Sequence, residues 1–217
     1  CYGVHISLPS EVEQKAAEMV AAAASELGVK RITFISGASV AEENRAFLMI
    51  ERKLMAEKAI TACGVPYSIL CPTWVMESLP MFVNDGKANG LGKQPFPYHW
   101  VAAEDIAAMV VNAYADGKGQ SERCIVHGPQ TILMLDALKR YCAVFHPQIK
   151  SISSMPLWLA GVLAGLMNDA AFKFAVQMMA YFEKVGEGNL LPQPGCRLGE
   201  PKTTLDEWMQ KRKALQM

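Results

Sequence analysis

The sequence has no glycine-rich turn of the kind that receives a pyrophosphate at a helix N-terminus anywhere upstream of its Arg31 to Thr73 stretch. It also lacks an excess of charge. Its 21 basic and 21 acidic residues balance without a dense Lys/Arg run, so the electrostatic footprint of a nucleic-acid binder is missing, and DNA and RNA are discounted as partners. Its six cysteines (Cys1, Cys63, Cys71, Cys124, Cys142, Cys196) form no CxxC pair, and His5, His99, His127 and His146 are far apart. No metal site is expected, and free thiols in a reducing cytoplasm are the simplest account. The opening residues have no basic leader and break into the polar PSEVEQK, so they do not read as a signal peptide. No long hydrophobic run occurs either. The uncharged stretch after Lys150 has its apolar part at Met155 to Met167, short of the roughly 20 residues a spanning helix needs, and Pro156 lies near its start. A buried or pocket-lining helix is expected there, with a membrane-surface contact as the alternative.

What is present alternates. Val4, Ile6 and Leu8 read as a strand stopped by Pro9, with Ser10 as cap of a helix from Glu11 that carries Val12, Ala16, Met19, Val20, Ala23 and Leu27 at helical spacing and ends at Gly28. Arg31 to Ser36 is an apolar run typical of a buried parallel strand. A helix is predicted from about Glu42 to Cys63 and a strand from Pro66 to Cys71, stopped by Pro72. This order predicts an α/β fold with a parallel sheet. Asn84 to Tyr98, rich in Gly, Pro and Lys, reads as a loop or flap. Further elements are expected in the AEDIAAMVVNAYAD helix after Val101, the strand Glu122 to His127 and the helix Thr131 to Phe145. From Ser151 onward the Met, Trp, Phe and Leu content predicts a mainly helical lobe. The last helix opens with the capping box Thr204/Glu207, and Trp208 on it is expected to dock against the body. The 217 residues thus divide into an α/β part, 1–150, and a helical part, 151–217.

In parallel α/β sheets, ligands sit beyond the carboxyl ends of the strands. Three such ends are Ser7-Leu8-Pro9, Ser36-Gly37-Ala38 and Cys71-Pro72-Thr73-Trp74. Any one of them is also an ordinary loop composition. Lys53 is a sharper signal. Lying about three turns before Gly64, it is placed near the sheet, where an ammonium can donate to ribose hydroxyls or serve as an acid or base. The competing reading is a surface lysine paired with Glu57 four residues on. Glu77 either faces a substrate or is a surface charge. Met155, Met167, Met178 and Met179, with Trp158 and Phe172, form either core or a hydrophobic substrate pocket.

The blocks KRITFISGAS and KLMAEKAITACGVPYSILCPTWVMESL resemble the atypical short-chain dehydrogenase/reductases, specifically the NmrA-like and isoflavone-reductase-like NAD(P)-binding families. HWVAAEDIAAMV and GEPKTTLDEW are similar to later segments of those families, so the resemblance covers most of the chain. It implies a Rossmann-like doubly wound parallel sheet, NADP or NAD as cofactor and a small C-terminal substrate lobe. It also implies a missing part: with about 30 residues per βαβ unit, roughly 60 to 90 residues carrying the glycine-rich turn would precede Cys1 in a complete member, and a chain without them should bind dinucleotide poorly.

Carried over by position, Lys53 falls on the lysine that contacts the nicotinamide ribose and in some reductases takes part in proton transfer. Ser36 and Gly37 fall beside the cofactor. Ser7, Leu8 and Pro9 form another cofactor-side tip, and Pro72, Thr73, Trp74 and Val75 form the loop near the nicotinamide; Met76 and Glu77 lie on the substrate side. Two departures weigh against tyrosine-driven chemistry: the tyrosine of the Tyr-x-x-x-Lys pair would sit at Met49, and its helper serine would lie near Ala38 or Ser39. The resemblance implies an NAD(P)H-dependent reductase of a small or hydrophobic carbonyl or quinone. A non-enzymatic NAD(P)-binding redox sensor and a nucleotide-sugar epimerase or dehydratase are the alternatives. The partner is a small molecule, a homodimer is an option, and the setting is the cytoplasm.

Overall fold

The computed structural model describes residues 1–115, 120–167, 169–187 and 196–215. They fall into two compact units, each assembled from separate stretches of chain. The first comprises Cys1–Thr73, Ala103–His127 and Leu190–Lys202; the second comprises Trp74–Ala102, Gly128–Asn189 and Thr203–Met217. Along the chain the first unit opens with β1 (Gly3–Ile6), α1 (Ser10–Glu26), β2 (Arg31–Ile35), α2 (Leu48–Ala62) and β3 (Tyr67–Pro72). The second then contributes β4 (Trp74–Val75), β5 (Val83–Asn84), β6 (Lys87–Leu91) and β7 (Pro97–Val101). The chain returns to the first for α3 (Ala103–Ala115) and β8 (Glu122–Val126). The second unit follows with β9 (Gln130–Leu133), α4 (Met134–Phe145), β10 (Ile152–Met155), α5 (Leu157–Met167), α6 (Ala170–Val185) and α7 (Leu205–Leu215).

The first unit is a parallel sheet in the order β1-β2-β3-β8. Ile32, Phe34, Ile69 and Cys71, all buried, pack with Ile6, Ala17, Ala24, Ala56 and Ile60. The α1 periodicity read from the sequence selects the wrong face. Glu13, Ala17, Ala21 and Ala24 are buried, whereas Val12, Met19 and Leu27 are exposed. Alanines let α1 approach α2 closely, and that advantage outweighs burying the larger side chains. Ser10 is the first helical residue and not the cap: the carbonyl of Pro9 accepts from the N–H groups of Val12 and Glu13. The second predicted helix begins later than expected. Glu42–Asn44 forms a separate 3₁₀ turn, where Asn44 Nδ2 donates to the Ser39 carbonyl at 2.8 Å, and α2 starts only at Leu48.

The second unit holds two three-stranded sheets, β10-β6-β5 and β4-β7-β9. The expected loop at 84–98 is largely strand. Asp85 and Gly86, both with positive φ (51° and 70°), form the two-residue turn of a β5–β6 hairpin, and β6 also pairs in parallel with β10. Thr131 lies in strand β9, so the helix expected from there begins at Met134. Among the described residues after β10 lie the helices α5, α6 and α7, and 196–204 before α7 is not helical. The core gathers Trp74, Met76, Leu79, Tyr98, Trp100, Met134, Leu138, Trp208 and Met209. The capping box forms as read: Thr204 N–H donates to Glu207 Oε2 at 2.8 Å, and Glu207 N–H donates to Thr204 Oγ1 at 3.3 Å. Among the described residues no helix is long and apolar enough to cross a membrane. The uncharged helix α5 buries Ala160 and Ala164 and leaves Trp158, Val162 and Leu166 exposed.

Gly128, just before β9, has no room for a side chain: a Cβ there would overlap the backbone carbonyl of Trp100. Because backbone and not a flexible side chain stands in the way, Gly128→Ala should cost about 3 kcal/mol or more, at or beyond the upper end of ordinary overpacking. Urea unfolding followed by tryptophan fluorescence measures this, and a change below about 1 kcal/mol would contradict the packing.

The expectation of free thiols throughout is also corrected. Cys124 on β8 and Cys196 form a disulfide spanning 72 positions, with Cα atoms 5.7 Å apart, and Glu122 completes a cluster whose donor atoms lie within 4.8 Å of one another. Cys1, Cys63, Cys71 and Cys142 are free. Sequence spacing carries no sign of the pairing, because folding alone brings the 196–202 segment to β8.

Candidate functional site

Because β1, β2, β3 and β8 are parallel, their carboxyl ends share one edge of the first unit's sheet, and the residues that follow them are held together there by the backbone. Ser36 N–H donates to Leu70 O at 2.7 Å, Ala38 N–H to Pro72 O at 2.9 Å, and Thr73 N–H to Val126 O at 3.1 Å. Thr73 Oγ1 adds a bond to the same Val126 carbonyl at 3.2 Å. Ser7, Leu8 and Pro9 follow β1 and are exposed, whereas Ser36 is 5 % exposed. The first-unit tips named from the sequence are therefore brought to one edge.

Lys53 reaches this edge from the second turn of α2. Its Nζ donates to the Ile35 carbonyl at the end of β2 at 3.1 Å and to Glu13 Oε1 at 2.8 Å, and it stands 5.4 Å from the centre of the Phe34 ring. Lys53 is not paired with Glu57. Its partner is forty positions away in sequence, on the first turn of α1. Glu13 is 1 % exposed, and its second carboxylate oxygen, Oε2, is buried with no hydrogen-bond partner. Buried carboxylates are normally fully paired, so this half-satisfied one marks a place where a donor is wanted. Sequence reasoning missed Glu13, because nothing along the chain marks an acid on the first turn of α1 as the partner of a lysine 40 positions away.

Glu57 has a different task. It is buried, accepts from Arg123 Nε at 2.8 Å and Nη2 at 3.3 Å, and takes a short hydrogen bond from Ser36 Oγ. Arg123 also donates to the Val40 carbonyl at 2.8 Å, tying down the turn that follows Ser36 and Gly37. Cys71 Sγ lies 4.0 Å from Glu57 Oε1; burial is the main force raising its thiol, to about 12, so it is not a nucleophile at neutral pH. Ser36 is thus a fixed donor within a buried network.

The remaining sequence candidates belong to the second unit. Trp74 is 9 % exposed and packs against the rings of Tyr98, Trp100 and Phe182, and its buried indole N–H has no acceptor among the described residues. Val75 pairs with Val101 in the β4–β7 ladder. Met76 is 1 % exposed within the core. Glu77 Oε1 accepts from Trp208 Nε1 at 2.7 Å, which also docks α7 as expected from the sequence. Met49, which the resemblance sets against a catalytic tyrosine, lies in the first turn of α2 and carries no ionisable group.

No family model matches this chain, and no curated protein matches it in sequence. Solved structures do resemble it. The NADPH-dependent quinone oxidoreductase of Escherichia coli, complexed with NADPH, aligns over 97 % of this chain and 75 % of its own length at 16 % identity, with a TM-score of 0.72. The triphenylmethane reductase of Citrobacter sp., complexed with NADP(H), covers 96 % and 76 % at 14 % identity with a TM-score of 0.73. A nucleoside-diphosphate-sugar epimerase from Staphylococcus aureus covers 96 % and 76 % at 19 % identity with a TM-score of 0.68. These likenesses establish the fold: a Rossmann-like α/β fold with a parallel sheet, shared with reductases and epimerases.

Proposed function

We propose that this chain is an NAD(P)-binding oxidoreductase-like protein of the atypical short-chain dehydrogenase/reductase type, acting as an NAD(P)H-dependent reductase of a small or hydrophobic carbonyl or quinone in the cytoplasm. The observation that carries the reading is the Lys53–Glu13 pair at the carboxyl edge of a parallel sheet, with a donor and a half-free buried acceptor side by side. Such a pair suits vicinal hydroxyls: the ammonium donates to one ribose oxygen, and Glu13 Oε2 accepts from a neighbouring hydroxyl. The residues present therefore fit the ribose of a nicotinamide nucleotide. The bound nicotinamide would supply the hydride. Ser36, Gly37, Pro72 and Thr73 would lie along it, with Ser7, Leu8 and Pro9 at the neighbouring tip. Within the second unit, Trp74, Val75, Met76 and Glu77 remain the candidates of the sequence reading, with the helical 151–217 region as the substrate lobe. The NADPH and NADP(H) complexes of the E. coli and Citrobacter structures support the choice of cofactor.

Calorimetric titration of NADPH into this chain tests this. Binding is expected, and weakening the Lys53 contact should lower affinity at least tenfold, since hydrogen bonds to charged groups contribute about 1.5–3 kcal/mol. Absence of binding would sink the reading. A second reading, a non-enzymatic redox sensor, is favoured by Met49, which cannot donate a proton. NADPH oxidation with a panel of quinones and aldehydes separates the two: turnover identifies the reductase, and binding without turnover identifies the sensor. An epimerase or dehydratase ranks third for the same lack of a tyrosine.

A further inference from the structure

The Cys124–Cys196 corner of the first unit has no part in nicotinamide binding, and its chemistry stands or falls separately. Cys124 on β8 is 5 % exposed, whereas Cys196 is partly exposed, so the Cys196 side of the disulfide is the more open one. The segment that carries Cys196 does not depend on the bond for its place. Asn112 Nδ2 donates to the Leu198 carbonyl at 2.8 Å, Lys202 N–H donates to Asp105 Oδ2 at 3.1 Å, and Leu198 is 1 % exposed. Two thiols released at this corner would therefore stay near one another and could re-form the bond, because the anchors keep their effective concentration high. Glu122 Oε2 is 3.5 Å from Cys124 Sγ and its other oxygen is 3.7 Å from the Arg197 guanidinium, so the carboxylate that would oppose a thiolate at this corner is partly neutralised by Arg197.

We propose that Cys124 and Cys196 form a reversible thiol–disulfide exchange site whose co-reactants are low-molecular-weight thiols and disulfides of the glutathione class. In the reducing direction, a small-molecule thiolate attacks the more open Cys196 Sγ. The Sγ–Sγ bond breaks, and Cys124 leaves as a thiolate that takes a proton from solvent. A second small thiolate then attacks the small-molecule sulfur of the mixed disulfide, releasing Cys196, which is likewise protonated. One protein disulfide and two small thiols become two protein thiols and one small disulfide, and the opposite direction runs through the same mixed disulfide. The bond joins Cys196 to β8 one residue from Arg123, the residue that holds Glu57 and the Val40 carbonyl.

The test equilibrates the protein in glutathione buffers from fully reduced to fully oxidised. Samples are quenched in acid, alkylated under denaturing conditions and counted by intact mass. The number of alkylated cysteines should step from six to four across a single midpoint, with peptide mapping locating the link between positions 124 and 196. Cys196→Ser should abolish the step. Six alkylated cysteines at every ratio, four at every ratio, or a step that survives Cys196→Ser would each overturn the proposal. Because no nicotinamide cofactor is present, its failure leaves the functional reading untouched.

Discussion

Lys53→Met should destabilise the first unit by about 3–5 kcal/mol, the usual cost of leaving a buried charge without its partner. Glu13 has 1 % of its side chain exposed and Lys53 has 17 %, so the carboxylate left behind would have neither water nor a counter-ion. One of its oxygens already has no hydrogen-bond partner. Adding Glu13→Gln to the same chain removes that charge and should restore most of the loss, as is common when both members of a buried pair are replaced. Urea unfolding of the two single variants and the double variant reads the coupling directly. A Lys53→Met loss below about 1 kcal/mol, or a double variant no more stable than the single one, would show that the pair is solvated and contributes little. The result also governs how activity data are read. A loss of turnover in a Lys53→Ala protein confuses a missing ligand contact with a damaged fold, so the Glu13→Gln/Lys53→Met protein is the proper background for binding measurements.

Arg123→Ala should cost about 2–4 kcal/mol, because it strands the buried carboxylate of Glu57 and frees the Val40 carbonyl in one step. The figure falls below that for Lys53 because the Arg123 side chain is 35 % exposed, so part of its interaction is already screened by water. Arg123→Lys should recover only part of the loss: an ammonium can face Glu57, but it lacks the fork that also reaches the Val40 carbonyl. Since Ser36 donates to the same Glu57, the variant should also loosen the turn from Gly37 to Val40, which hydrogen exchange of those amides would detect. Exchange unchanged from the parent would mean that Ser36 is held by the sheet alone.

Both pairs connect residues far apart in sequence, and that separates what was legible from what was not. The strand-helix-strand order of the first 72 residues, the stops at Pro9, Gly28, Gly64 and Pro72, and the capping box at Thr204 and Glu207 are local matters. They depend on propensity, periodicity and turn chemistry over a few residues, and the sequence displays them. The position of Lys53 beside the sheet follows from the same helical geometry. The Asp85–Gly86 hairpin was equally local, but the glycine and lysine content around it masked a two-residue turn signature.

The sequence by itself therefore determined the α/β class, the parallel order of the first strands and the lysine at their edge. Only the tertiary structure decided that Lys53 faces Glu13, that Glu57 faces Arg123 and Ser36, that α1 buries its alanines instead of its larger apolar residues, and that Cys124 meets Cys196. Local conformation is set by neighbours along the chain, whereas the partner of a buried charge or thiol is set by which surfaces pack together. That choice is settled by the summed burial of a whole sheet and its helices.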